Sequence, residues 1–156
     1  MAPQATAPVP GAHDASDVPG MAARLRVSAT RLARLLRRQG DTGLSPSQIS
    51  ALTSVETHGP MTLGALAEHE RVAPPSITKV VAKLEERGLV VRWADPADRR
   101  VTQVSTTPAG AALLAQVRER KDVWLAARLE ALDDDERARL AAALDVIYHL
   151  TRVEQP

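Results

Sequence analysis

The pattern of apolar and polar positions between residues 73 and 88 predicts a short amphipathic helix. Pro74 and Pro75 fit only the first turn, where backbone N–H groups lack helical partners, and Gly88 favours the left-handed conformation that ends a helix. Such a helix either presents hydroxyls and amines to a nucleic-acid groove or leaves its polar face in water. The apolar positions are Ile77, Val80, Val81 and Leu84, and the polar positions are Ser76, Thr78, Lys79 and Lys83.

The next segment, residues 89–106, changes to a strand-like pattern and predicts a β-hairpin. Arg99 and Arg100 fall near its tip, where guanidinium groups suit the negative potential of a DNA minor groove. We expect Asp98 to hold the Arg100 guanidinium through a bidentate contact. Residues that favour extended structure flank the turn: Val90, Val91 and Trp93 before it, and Val101, Thr102, Val104 and Thr106 after it.

Five further helices are predicted from apolar spacing and from their first residues. The first, residues 21–39, carries six arginines and no acid, so it suits DNA, anionic lipid or the acidic residues of a partner subunit. The last two helices have more apolar surface than a small lobe can cover, which favours pairing with a second copy. The predicted N-caps of the other four helices are Ser45, Thr62, Thr107 and Asp133.

The order of these elements and motifs resembles the multiple-antibiotic-resistance regulator (MarR) family of winged-helix transcription factors. The similarity rests on a helix ending at Gly88, then Asp95-Pro96-Ala97-Asp98-Arg99-Arg100, then Thr107-Pro108-Ala109-Gly110, and it covers about residues 20–153. The family implies a mainly α fold with a small β-hairpin wing, a winged helix-turn-helix with long N- and C-terminal dimerisation helices. It also implies a homodimer that binds double-stranded DNA at a palindromic operator, most often as a repressor released by a small-molecule effector.

The resemblance assigns parts of the chain to these roles. Residues 1–19 are expected to be a disordered Ala/Pro-rich leader, and residues 20–153 the winged-helix domain. Within it, 21–39 and 107–153 are the dimerisation helices and 45–106 the DNA-binding lobe. The expected DNA-contacting surface comprises Pro75, Ser76, Thr78, Lys79, Lys83, Asp98, Arg99 and Arg100.

Two positions depart from the family pattern. Relatives commonly place Ser and then Arg at the start of this helix, whereas this chain has Ala73 and Pro74. Replacing a hydroxyl cap by Ala costs about 1 kcal/mol, and the change implies a different or weaker operator preference. Thr106 stands at a wing position where relatives usually carry Leu.

Composition narrows the chemistry. The chain has 156 residues, a net charge of +1 and no cysteine, which excludes disulfides, thiol-based redox sensing and thiolate metal sites. It shows no glycine-rich phosphate loop and no nucleophile–base arrangement, so we expect neither an enzyme nor a cofactor. Metal binding is not expected, although Glu68-His69-Glu70 could contribute to a zinc site completed elsewhere. A secretory signal and membrane-spanning apolar stretches are lacking, so a cytoplasmic protein without membrane association is expected.

The effector pocket is predicted between the DNA-binding lobe and the dimerisation helices. A small molecule bound there would shift the spacing of the two recognition helices in the dimer. The alternative is a winged-helix module for protein contact, or an architectural DNA-binding protein without an effector response. The predicted lining residues, which are equally suited to a core, are Leu32, Leu52, Val55, His58 and Trp124.

Overall fold

A computed structural model of the chain describes residues 17–152. Within that range it contains six helices and three short strands. The mainly helical winged helix-turn-helix predicted from the sequence is confirmed. In chain order the elements are α1 (Val18–Gln39), α2 (Pro46–His58), β1 (Met61–Thr62), α3 (Leu63–His69), α4 (Pro74–Glu86), β2 (Val90–Ala94), β3 (Thr102–Thr106), α5 (Pro108–Glu130) and α6 (Asp134–Thr151).

Helix α1 begins at Val18 rather than at Met21. The side chain of Asp17 accepts the Gly20 N–H at 3.1 Å, and Pro19 lies in the first turn, where its missing N–H costs nothing. The predicted leader is therefore wrong for its last two residues, which are helical. Its residues 1–16 lie outside the described range, as does residue 153 at the other predicted boundary.

The four predicted N-caps are confirmed. Ser45 accepts the Gln48 backbone N–H at 3.3 Å, while the Gln48 side chain accepts the Ser45 N–H at 2.8 Å, which completes a capping box. Asp133 forms the same kind of box at the start of α6. Thr62 and Thr107 cap α3 and α5 through their hydroxyls.

The sheet has one strand more than the predicted hairpin. Its antiparallel order is β1-β3-β2, with Met61 opposite Val104 and Thr62 opposite Gln103. From the sequence alone, residues 61–62 are expected only to begin a helix. Thr62 performs both functions, because its side chain caps α3 while its segment pairs with β3.

The core lies mainly within residues 45–106, with Leu114 of α5 added to it. Its largest fully buried side chains come from α2, α3, α4 and β3: Leu52, Val55, Leu66, Ile77, Val81, Leu84 and Val104. Helix α1 contacts α5, but neither α1 nor α6 contributes a buried residue. The lobe that carries α4 is consequently well packed, while two long helices keep apolar faces in solvent.

Candidate nucleic-acid interface

Helix α4 divides into a buried face and an exposed face, as its sequence predicts. Ile77, Val81 and Leu84 are at most 2% exposed, so burial fixes the rotation of the helix about its axis. The residues predicted to face DNA are all exposed: Pro75, Ser76, Thr78, Lys79 and Lys83. The exposed face therefore combines hydroxyl groups with two amines, the groups that contact phosphates and base edges.

The first turn of α4 differs from a hydroxyl-capped helix. Ala73 occupies the N-cap with no side-chain hydrogen bond, and Pro74 and Pro75 follow it. The Thr78 hydroxyl donates to the Pro74 carbonyl at 2.9 Å. Because that hydrogen is used within the helix, Thr78 offers a groove only acceptor lone pairs, which suit the exocyclic amines of adenine or cytosine.

The two lysines of α4 border the start of α2. Lys79, Val80 and Lys83 line a groove of about 160 Å³ together with Ser45, Ser47 and Gln48. This neighbour was not foreseen from the sequence, because the two segments are far apart in the chain. It places the exposed Ser47 beside the basic side of α4.

An ion pair attaches the wing to α4. The Arg92 guanidinium in β2 donates to Glu85 Oε2, with Nε at 2.8 Å. This hydrogen bond lowers the pKa of Glu85 against the opposing effect of burial. This contact was not predicted from the sequence. Arg92 nevertheless lies between the exposed Val91 and Trp93, and because side chains alternate along a strand, it lies on the opposite, inner face of β2.

The junction between α4, β2 and α5 is held by main-chain contacts. Gly88 has a φ of +68°, which ends α4 and turns the chain directly into β2. The Thr107 hydroxyl donates to the Gly88 carbonyl at 2.6 Å, and the Thr107 N–H donates to the Leu89 carbonyl at 3.1 Å. A Cβ on Gly110 would lie 2.2 Å from the Leu89 oxygen, so only glycine fits there.

Asp95 organises the wing tip. Its Oδ1 accepts the N–H groups of Ala97 at 2.8 Å and Asp98 at 3.3 Å, and its Oδ2 accepts Gln103 Nε2 at 2.8 Å. The Gln103 hydrogen bond, followed by the two from the backbone, lowers the pKa of Asp95. The charged carboxylate thus fixes the turn between β2 and β3.

Asp98 contacts Arg100 differently from the expectation. Its Oδ1 accepts the Arg100 backbone N–H at 3.0 Å, so the carboxylate shapes the turn instead of clamping the guanidinium. The reason is geometric, since an Asp two residues before an N–H reaches it within a tight turn. Arg99 and Arg100 are both exposed at this tip.

The five residues predicted to line an effector pocket occupy different environments. Leu52 and Val55 are core residues at 0% and 1% exposure, whereas Leu32 on α1 is 42% exposed. The His58 ring rests on His69 with centroids 4.6 Å apart, and the Trp124 ring lies under the Arg128 guanidinium at 3.4 Å. Apolar residues at helical spacing indicate a buried face, but this spacing does not distinguish a core residue from a residue that lines a pocket.

A cavity of about 660 Å³ instead lies between α1, α2 and α5. Its basic side chains outnumber its single acid, Asp41. Its apolar lining comes from Leu44, from Pro46 and Ile49 of α2, and from Val117 of α5. Such a cavity favours a ligand with both an apolar body and negative charge. Its lining residues are Arg34, Arg37, Arg38, Gly40, Asp41, Thr42, Leu44, Pro46, Ile49, Ser50, Val117 and Lys121.

The segment Glu68-His69-Glu70 is engaged in other contacts. Glu70 Oε1 accepts the Ser54 hydroxyl at 2.5 Å, and the His69 ring contacts the His58 ring at an interplanar angle of 59°. Among residues 17–152, no group of three or more His, Asp or Glu side chains is placed to hold a metal ion. Across the same residues, no helix has the length and apolar character to cross a membrane.

Comparison with known proteins gives consistent matches over this architecture. The family model described as MarR family matches residues 44–102. An uncharacterized HTH-type transcriptional regulator of Mycobacterium leprae is 44% identical over 131 residues, 83% of this chain and 92% of that protein. The HTH-type transcriptional repressor MdtR of Bacillus subtilis is 29% identical over 99 residues, 64% of each chain. A transcriptional regulator structure from Pseudomonas aeruginosa superposes with a TM-score of 0.79 at 34% identity, covering 91% of this chain and 100% of the other.

Proposed function

This chain belongs to the MarR family of DNA-binding transcriptional regulators, and we propose that it acts as a homodimeric repressor of a palindromic operator, released by a small-molecule effector. Members of this family are regulators rather than enzymes. The repressor role is supported by similarity to MdtR, which is named a repressor. The observation that carries the DNA-binding proposal is α4 itself, with one face buried and the other exposing Ser76, Lys79 and Lys83.

In this proposal α4 enters a major groove. The groove is about 12 Å wide and admits one helix, so the exposed side chains of α4 meet base edges and flanking phosphates. Ser76, Thr78 and Lys79 contact base edges. Thr78 acts there as an acceptor, because its hydroxyl hydrogen is donated to the Pro74 carbonyl. Pro75 packs against the DNA at the same end of α4, and Lys83 contacts the DNA backbone.

The wing reaches the adjacent minor groove. Arg99 and Arg100 are exposed at the tip, and their turn is set by the carboxylates of Asp95 and Asp98. Since the Glu85–Arg92 pair joins the wing to α4, the two reading elements move together. This coupling favours simultaneous contact with a major groove and its neighbouring minor groove.

Dimerisation is proposed through α1 and α6. Their exposed apolar residues include Met21, Leu25, Leu144, Ile147 and Leu150, each at least 38% exposed. Charge favours the same pairing, because residues 21–39 hold six basic and no acidic side chains, whereas residues 107–156 hold seven basic and nine acidic ones. A two-fold dimer places equivalent α4 helices about one DNA turn apart, which matches a palindrome.

The effector site is proposed in the 660 Å³ cavity, in place of the five residues predicted from the sequence. Helix α1 and the lobe both contribute to its walls, so a bound molecule changes how they pack. The excess of Arg and Lys favours an organic anion. Binding releases DNA only if the ligand prefers the arrangement in which the two α4 helices no longer match the operator.

Selection of binding sites from random duplex DNA at physiological salt tests this proposal. The purified protein is expected to enrich a palindrome with half-sites centred about one helical turn apart. Titration of that duplex against a scrambled one of equal length then measures specificity. Enrichment of no sequence, with equal binding to both duplexes, would reject an operator-specific repressor and favour the architectural alternative.

A further inference from the structure

The segment between α1 and α2, residues 40–45 and called here the α1–α2 loop, contacts both the cavity and α4. Gly40, Asp41 and Thr42 line the cavity. The carbonyls of Thr42 and Gly43 accept the Nη2 and Nη1 groups of Arg87, each at 3.1 Å. Arg87 is the C-cap residue of α4. One short loop therefore borders the candidate effector cavity and holds the end of the DNA-reading helix.

Hydrogen bonds within the loop connect its cavity-lining residues to Gly43 and Leu44. Asp41 Oδ1 accepts the Gly43 N–H at 3.0 Å, and the Thr42 hydroxyl accepts the Leu44 N–H at 3.2 Å. Leu44 also packs against the core of the lobe. A displacement of Asp41 or Thr42 on the cavity side consequently shifts the carbonyls that Arg87 binds.

The Arg87 end of the contact is equally fixed. The Gly88 N–H donates to the Glu85 carbonyl at 2.8 Å, and the Leu89 N–H donates to the Leu84 carbonyl at 2.9 Å. These bonds attach the two residues after Arg87 to the last turn of α4, which fixes the backbone on both sides of Arg87. Its planar guanidinium reaches two carbonyls at once, which the single ammonium of a lysine does not reproduce.

We propose that Arg87 is a positioning residue that couples occupancy of the cavity to the placement of α4. This inference rests on the proposed function, because it concerns regulation of the same DNA-reading helix. An occupant that draws the α1–α2 loop toward the cavity withdraws both carbonyls from Arg87 and loosens the C-terminal end of α4. The helix then tilts, and Ser76 and Lys79 near its other end lose their register with the bases.

The natural absence of cysteine allows a covalent probe of the cavity. Ser50 lines the cavity and is exposed, so Ser50→Cys gives a single attachment point for N-phenylmaleimide. Affinity for the selected operator is measured before and after modification in the Ser50→Cys background. The same measurement is made with Arg87→Lys added, and with Glu86→Gln added as a control at the exposed neighbouring position.

Modification is expected to weaken operator affinity at least about tenfold with Arg87 present and with Glu86→Gln, but less than about threefold with Arg87→Lys. The salt dependence of binding should be the same with Arg87 and with Arg87→Gln, since a positioning residue neutralises no phosphate. Arg87→Gln repeats the test if the lysine protein melts at a lower temperature than its parent.

Three results would overturn the inference. The first is an equal response to modification with Arg87 and with Arg87→Lys, and the second is no response in any of the proteins. The third is a salt slope that falls by about one with Arg87→Gln, which would identify a phosphate contact. Failure of the unmodified natural protein to bind any selected operator is a separate result. It would reject the proposed function before the cavity is probed.

Discussion

Asp95 has a larger structural part in the wing tip than the arginines beside it. Its two carboxylate oxygens accept three hydrogen bonds, from Ala97, Asp98 and Gln103. The guanidinium groups of Arg99 and Arg100 remain exposed to reach a partner. At this scale the acidic residues determine the shape of the tip, and the basic residues remain exposed as the proposed DNA contacts.

The wing tip is expected to loosen on acidification only below the ordinary titration range of an Asp. The pKa of Asp95 is lowered in the folded protein, chiefly by Gln103. Its stabilising effect is therefore fully present above the unfolded pKa and lost as pH falls through the lower, folded value. NMR of the Ala97 amide should follow this loss. In Asp95→Ala that amide should exchange faster at neutral pH, and unchanged exchange would show that the carboxylate does not hold the tip.

Arg100→Ala is expected to weaken operator binding and to reduce the slope of log affinity against log salt by about one. The reason is the loss of one guanidinium from an exposed tip whose turn is held independently through the Arg100 backbone. Fluorescence anisotropy at several salt concentrations provides the measurement. Arg120→Ala, on the exposed surface of α5, is the matched control. Equal slopes for the two variants would remove the wing from the interface.

At the scale of elements, one junction connects α4, the wing and α5. Gly88 ends α4, Thr107 bonds back to residues 88 and 89, and Gly110 lets the first turn of α5 approach the Leu89 carbonyl. The Thr-Pro-x-Gly sequence that contributed to the family resemblance therefore has a physical explanation. It fixes the direction of α5 relative to residues 45–106.

Gly110→Ala is expected to destabilise the fold by about 1–3 kcal/mol, as overpacking does, because the new methyl group overlaps main-chain atoms that cannot rotate away. Thermal or urea unfolding measures the effect. Gly64→Ala in α3 is the control, since its Cβ would lie 3.7 Å from the Thr62 hydroxyl. That change should stabilise by up to about 1 kcal/mol through helix propensity. Equal stability of the two variants would contradict the crowding at Gly110.

Over the whole molecule, burial is uneven. The lobe from α2 to β3 supplies most of the core, while Leu144, Tyr148 and Leu150 of α6 are each more than half exposed. Large apolar faces left in water favour association. The uneven distribution agrees with a chain whose long helices are completed by a second copy.

Leu144→Lys is expected to shift the protein toward monomer and to lower its affinity for a full palindrome at least about tenfold, because only one half-site is then held at a time. Sedimentation and anisotropy measure the two effects. Val72→Lys, at a 43% exposed position between α3 and α4, controls for adding charge to an apolar surface residue. A dimeric Leu144→Lys protein with unchanged affinity would move the interface away from this face of α6.

The sequence by itself determined the starts of α2, α3, α5 and α6, the amphipathic α4 and the hairpin. Ser45, Thr62, Thr107 and Asp133 each satisfy an N–H group three residues later, so their function depends on spacing that is visible along the chain. The same applies to Ile77, Val81 and Leu84, whose period defines a buried face without any knowledge of the residues that cover it.

Only the tertiary structure decided which distant residues meet. Strand β1 pairs across about 40 residues with β3, Arg87 reaches carbonyls 44 and 45 positions earlier, and Arg118 bonds to Glu56 62 positions earlier. The cavity likewise combines α1, α2 and α5. The spacing of apolar residues predicts that a face is buried but does not identify the residues that cover it. Those covering residues are determined by the packing of all elements together. For that reason the reading helix was predictable from local sequence, whereas its connection to a cavity was not.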